Sequence, residues 1–230
     1  MPAASTTLRT LAVSAAMLLT VTGCQALDDA GRAMGRADIV NDLATRMDRA
    51  LESTYSAEYQ LPGGKTATIS QAQDPARSSY EWPGGKLTVT AEATTRCGIK
   101  GERTTCVLEA PPAPNAKPSV VVFSAAEREG LITPPMVMGL LTAAALDSAA
   151  VITQSDTTVA GLHATCVDIR QNADAFAACV TGEGALGSFT GQIDGEPVEL
   201  ALSRYHEQVD GSAFDLPPGA DVVDRRPATS

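Results

Sequence analysis

The chain has 230 residues, 44% of them hydrophobic and 4% aromatic, with 17 Lys and Arg against 27 Asp and Glu. That length builds one domain of about 200 residues or two small ones, and 19% charged residues beside so much apolar surface excludes wholesale disorder. A formal charge of −10 argues against nucleic-acid binding, which depends on basic patches that displace phosphate counterions.

Five cysteines is an odd number, and the N-terminus accounts for one of them. Arg9 is the only charged residue before Asp28, and an apolar run follows it at 11–21, LAVSAAMLLTV. The run is too short for a permanent transmembrane helix and has the shape of a secretory signal. It ends in Val21-Thr22-Gly23-Cys24, which resembles the bacterial lipobox, in which a small residue precedes the lipid-accepting cysteine. The resemblance implies cleavage after residue 23 and acylation of Cys24, with palmitate-like chains holding the protein on the extracytoplasmic face of the cell membrane. Two or three acyl chains anchor stably where one is marginal. The alternative is an ordinary secretory signal with a chance cysteine. Without residues 1–23 the chain carries 16 basic and 27 acidic side chains, net −11.

Residues 24–36 read as a tether, and 37–220 as one folded domain. Ile39, Leu43, Met47 and Leu51 recur at helical spacing, with Asp38 as N-cap. From Thr54 the period becomes two: Tyr55, Ala57, Tyr59 and Leu61 alternate with polar residues, as in a half-buried strand. The stretch Tyr59 to Lys65 (YQLPGGK) is echoed 21 residues later by Tyr80 to Lys86 (YEWPGGK). Both are hairpin signals, and they predict an antiparallel meander continuing through 87–91 and 104–109. A proline-rich connector at 111–118 leads to a strand at 120–123 and a helical turn at 125–129. A second helix then starts at Thr133-Pro134-Pro135, with threonine as its cap. Residues 136–146, MVMGLLTAAAL, hold no charge; such a helix is buried on most sides or covers something apolar. Strands are expected at 151–154, 165–170, 176–181, 188–193 and 197–207, and 221–230 as a disordered tail.

The remaining four cysteines bracket short segments. An exported chain permits disulfides, and each pair would clip a hairpin, which predicts Cys97–Cys106 and Cys166–Cys179. A zinc site is the poorer alternative, because neither pair is C-x-x-C and only His163 and His206 could assist. No hydrolase, Walker or dinucleotide-binding motif occurs. His163 before a strand, His206 among Arg204 and Gln208, and the Glu127 and Glu129 pair read as solvated positions. The chain is therefore expected to be no enzyme and to hold no metal or cofactor.

A lipobox, a helix leading into T-Y-S-A-E-Y, a helical crossover, Gly161-x5-Val167 with a paired C…C, and a closing F-D-L-P-P together resemble actinobacterial lipoproteins of the LolA-like superfamily, to which the mycobacterial LppX and LprG lipoproteins belong. The resemblance covers most of residues 36–220. It implies an α+β fold: a curved antiparallel sheet, or half-barrel, with helices packed on its concave face and, in some members, a lipid or lipoglycan between. On that reading Tyr59, Tyr80, Trp82, Met136, Leu140 and Leu141 face an apolar ligand carried in the envelope. Core packing of the same aromatic residues, in a non-enzymatic interaction module with a filled interior, is the rival.

Overall fold

The computed structural model describes residues 22–113, 123–128, 130–170, 175–193 and 195–227. The signal segment up to residue 21, the connector from 114 onward, the strand expected at 120–122 and Glu129 lie outside them.

Helix α1 (Thr22–Ala50) includes the whole segment read as a tether. Its Ala, Leu, Gln, Arg and Met residues are good helix formers, so no cap at Asp38 is needed to start it. The buried stripe is Val40, Leu43, Met47 and Ala50, with Ile39 at its margin.

Strands β1 (Tyr55–Leu61), β2 (Lys65–Gln73), β3 (Ala76–Trp82), β4 (Gly85–Val89), β5 (Thr94–Lys100) and β6 (Arg103–Glu109) form an antiparallel meander. Both Pro-Gly-Gly copies lie at hairpin turns, the first between β1 and β2, the second between β3 and β4. A helical turn, α2 (Ser124–Glu127), and helix α3 (Pro134–Leu146) follow. A second antiparallel meander comprises β7 (Val151–Val159), β8 (Leu162–Arg170), β9 (Ala175–Thr181), β10 (Leu186–Ile193) and β11 (Glu196–His206). Pairing of β1 with β11 fuses the two meanders.

The last strand, β12 (Asp221–Asp224), lies in the segment expected to be a tail and pairs in parallel with β6. Val222 and Val223 supply β-branched residues there, and Arg225 N–H continues the ladder by donating to Leu108 O at 2.8 Å. A parallel strand needs a long crossover, and residues 207–220 provide it by crossing the sheet face opposite the helices. The F-D-L-P-P motif is the clasp of that crossover. Arg77 stacks over the Phe214 ring at 4.3 Å, and Lys86 Nζ donates to Asp215 O at 2.8 Å. Phe214→Ala should cost about 3 kcal/mol through lost burial and lost cation–π contact, read as a lowered urea midpoint.

These pairings overturn the expected half-barrel. Among the described residues the chain forms one long, open, mixed sheet of twelve strands in the order β12-β6-β5-β4-β3-β2-β1-β11-β10-β9-β8-β7, with two helices longer than a turn. Tight hairpins add strand after strand and leave few residues for helix. The sheet also lacks the means to close. At one end β7 is exposed along most of its length, with little apolar surface to roll over the core; at the other sits the parallel, acidic β12.

The two helices pack against each other on one sheet face. Helix α3 buries Pro134, Met136, Val137, Leu141 and Ala144, while Leu146 is 83% exposed. The uncharged helix is thus one-sided: small residues at Gly139, Thr142 and Ala143 face out. Thr133 occupies its N-cap, but the hydroxyl caps nothing. Pro135 has no N–H to offer, and Met136 N–H is taken by the Thr133 carbonyl at 3.0 Å. Among the described residues the Thr133 hydroxyl is buried without a partner. Thr133→Val should therefore leave stability unchanged or raise it by up to about 1 kcal/mol, measurable as an equal or higher melting temperature.

Candidate functional site

The residues expected to face a ligand do converge, but on one another. Strand parity points Tyr55 and Tyr59 of β1, Tyr80 and Trp82 of β3 and Leu87 of β4 at the helices. Tyr59 is 1% exposed, Tyr80 3%, Trp82 7%, Met136 7% and Leu141 0%, all within one continuous core, and Leu140 packs at its edge. The rings touch directly. Tyr80 meets Phe123 edge-on with centroids 4.8 Å apart, and Tyr55 stacks on Tyr205 at 5.6 Å. Phe123, Leu131 and Ile132, all fully buried, complete the filling. Sequence reasoning gave these three no part in the core: Phe123 ends the strand expected at 120–123 but caps α2 instead, and Leu131 and Ile132 sit in a short stretch with no period to mark them.

Burial raises the phenol pKa of Tyr55 and Tyr59 well above the usual value and pushes that of Tyr80 up to about 12. Neighbouring phenols add to the shift at Tyr55 and Tyr59, and a hydrogen bond with Ser78 opposes it at Tyr80. Below about pH 10 these tyrosines are protonated in folded and unfolded chains alike, and their burial stabilises in full. Above it the unfolded chain releases protons that the folded chain keeps, so stability falls as pH rises toward 12. Titration at 295 nm should therefore show the half-buried Tyr205 ionising ahead of the other three, which should ionise together with loss of near-ultraviolet circular dichroism.

Among the described residues, two of the open grooves border this core, and none of the expected ligand-facing residues lines either one. The wider, about 560 Å³, lies where the first Pro-Gly-Gly turn, α2 and the β10–β11 hairpin meet. Its lining includes the apolar Pro62, Ile193, Pro197 and Val198 and the charged Lys65, Glu127, Arg128 and Glu196. The narrower, about 240 Å³, runs between α1 and strands β7 and β8, lined by Asp38, Ile39, Asp42, Leu43, Gln154 and Thr165. A polar chain borders it: Arg46 pairs with Asp42 at 2.7 Å and donates to Thr165 at 3.0 Å, and Thr165 donates to Asp156 at 3.0 Å.

The four paired cysteines join as the hairpin spacing predicts. Cys97 and Cys106 face each other in the β5–β6 register and are bonded; Cys166 and Cys179 do the same across β8–β9. Cys24 lies near the start of α1. His163 and His206 are exposed, with His163 Nε2 4.0 Å from Asp156 Oδ1.

No family model and no curated protein matches the chain. Solved structures similar to it include an uncharacterized conserved protein from Thermus thermophilus, at 10% identity and a TM-score of 0.47 over 80% of this chain and 98% of that one. MucB is similar at 12% identity and a TM-score of 0.47, over 81% of this chain and 66% of that one. MucB in complex with MucA(peri) gives 13% identity and a TM-score of 0.44, over 80% and 62%. The functional reading rests on the chain's own geometry.

Proposed function

We propose that the protein is a non-enzymatic interaction module of the cell envelope, held at the extracytoplasmic membrane face by an acylated Cys24, with its outer surface rather than its interior carrying the function. The observation that carries this reading is the filled core. The side chains that would line an acyl-chain cavity are in contact with one another, and both grooves carry charged or polar groups unsuited to an acyl chain. A lining that mixes apolar and charged side chains, as in the wider groove, suits a polypeptide partner better.

Two disulfides fit an oxidising compartment. The lipobox and the likeness to LolA-like lipoproteins support the anchor. Among the described residues no helix is long and apolar enough to cross a membrane. The first twelve residues of the cleaved chain, 24–35, would continue α1 beyond the sheet as a helical spacer about 18 Å long.

Organic extraction of the purified chain followed by mass spectrometry should recover no stoichiometric lipid besides acyl groups on Cys24. One lipid per chain would restore the carrier reading. Independently, Cys24→Ala should abolish palmitate labelling and move the protein from the membrane fraction to the soluble one; retention in the membrane would refute the anchor.

A further inference from the structure

The two free edges of the sheet are built differently. Strand β12 is four residues long with an aspartate at each end. Arg226 follows, its guanidinium 2.7 Å from the Asp224 carboxylate. Short length and charge are the usual protection of an edge against pairing with another chain. Strand β7 is longer and carries a single charge, at Asp156. It spans nine residues, VITQSDTTV, with no lysine, arginine or proline, and Thr153 to Thr158 are all exposed. Among the described residues only β8 pairs with it.

The order of residues in β7 points to what it meets. About Ser155 the strand partly matches itself: Val151 falls with Val159 and Thr153 with Thr157, Gln154 falls with Asp156 as amide with carboxylate, and Ile152 falls with Thr158. We propose that β7 pairs antiparallel with β7 of a second copy of this chain, on a two-fold axis at Ser155, joining two sheets into one. No facing pair then sets like charges together, and Ile152 meets the β-branched Thr158. Threonines oppose threonines, a favourable cross-strand pair. Each Gln154 amide faces the Asp156 carboxylate of the other copy, whose Oδ1 already accepts from Thr165 and whose second oxygen is left to receive it.

Local charge in β7 permits this partner. At net −10 two copies repel at long range, but β7 carries one carboxylate in nine residues, and the axis places it opposite an amide rather than its own mate. An isologous contact of this kind closes as a dimer and leaves no further edge of the same type. Strand pairing requires neither a lipid anchor nor a ligand.

Cross-linking tests the register on the full chain. Ser155 is unsuitable for it because it faces Cys166 across β8. Instead, differently tagged chains carrying Thr153→Cys and Thr157→Cys are mixed and oxidised, with the unmodified chain as background for Cys24. The mixture should give a mixed-tag dimer on a non-reducing gel, and neither variant alone should exceed background. Sedimentation of the unmodified full chain in detergent should show a concentration-dependent dimer. The double variant Thr153→Lys, Thr157→Lys alters only exposed side chains and sets ammonium groups against each other across the axis; it should weaken the dimer about tenfold. A chain that stays monomeric without mixed cross-links, a cross-link formed by either variant alone, a dimer unaffected by the lysines, or a foreign extended segment pairing with β7 of a monomer would each overturn the proposal.

Discussion

Replacing Gly184 by alanine should destabilise the domain by about 4 kcal/mol, the largest loss expected from adding a single carbon anywhere in the β9–β10 hairpin. Two independent effects coincide. Gly184 has φ +87°, a conformation that side chains rarely adopt and that costs them about 1–2 kcal/mol. A Cβ there would also stand 2.1 Å from the Arg46 carbonyl oxygen and 3.0 Å from the Ala50 Cβ. Both belong to the last turns of α1, which cannot withdraw. Gln71 of β2 donates to the carbonyls of Ala50 and Leu51, and Gln73 donates to Leu51 and Ser53 at 2.8 and 3.2 Å. These amides cap the helix end and fasten it to the sheet. Gly182 in the same turn is the control: its φ is ordinary, and an added Cβ would find its nearest neighbour 3.9 Å away. Gly182→Ala should shift the urea midpoint little, about 0.5 kcal/mol, whereas Gly184→Ala should shift it severely. Equal effects from the two would mean that α1 does not rest on this turn.

The contrast between these glycines marks what the sequence discloses and what it hides. That 182–184 is a turn is legible from composition, because two glycines stand between apolar runs. That one of them admits a helix from 138 residues earlier is not, since nothing local records the approach. The same division holds for the fold at large. The alternation of Tyr55, Ala57, Tyr59 and Leu61 is strong because one face is buried and the other wet, and it appears as read, as does the second Pro-Gly-Gly hairpin. Strand β7 is read only as far as Gln154, because its remaining residues are polar on both faces and carry no period. Strand β12 is missed because four residues ending in aspartates look like a tail; only pairing with β6 makes them a strand. Helix α1 begins earlier than expected because tether-like composition, rich in Ala and Arg, is also helix-forming composition.

For the site, parity correctly directs Tyr59, Tyr80 and Trp82 to one side, but it cannot say whether a ligand or a protein side chain waits there. Phe123 decides the matter at Tyr80: a ring 4.8 Å away occupies the place a ligand would need. The uncharged α3 then has a structural explanation. Its apolar face lies on this core, and its outward positions remain uncharged because they are mostly small or slightly polar, as at Gly139, Thr142 and Ala143. On the reading proposed above, function lies at the edges and grooves, where sequence periodicity is weakest.

Loss of both disulfides should cost about 6 kcal/mol, much of the 5–15 kcal/mol that separates a typical domain from its unfolded state. Each closes a short loop, with sequence separations of 9 and 13, and constraining the unfolded chain over such loops is worth about 3 kcal/mol apiece. Their positions make the effect additive. Cys97–Cys106 joins the strands second and third from the β12 edge, and Cys166–Cys179 those second and third from the β7 edge. They share no strand and no partner, so the double loss should equal the sum of the single ones. Both staples stand near the ends of the open sheet, where the outermost strand has a neighbour on one side only. Thermal unfolding of the two paired Cys→Ala variants should each show a fall of about 6–12 °C, with the combined variant near the sum. Removing Cys166–Cys179 should further expose β7 to β9 to limited proteolysis while β1 to β6 stay protected, and removing Cys97–Cys106 should do the reverse. A loss below about 1 kcal/mol from either pair would show that the strand ladders alone hold the sheet edges, and uniform proteolysis would show that the two ends of the sheet do not open independently.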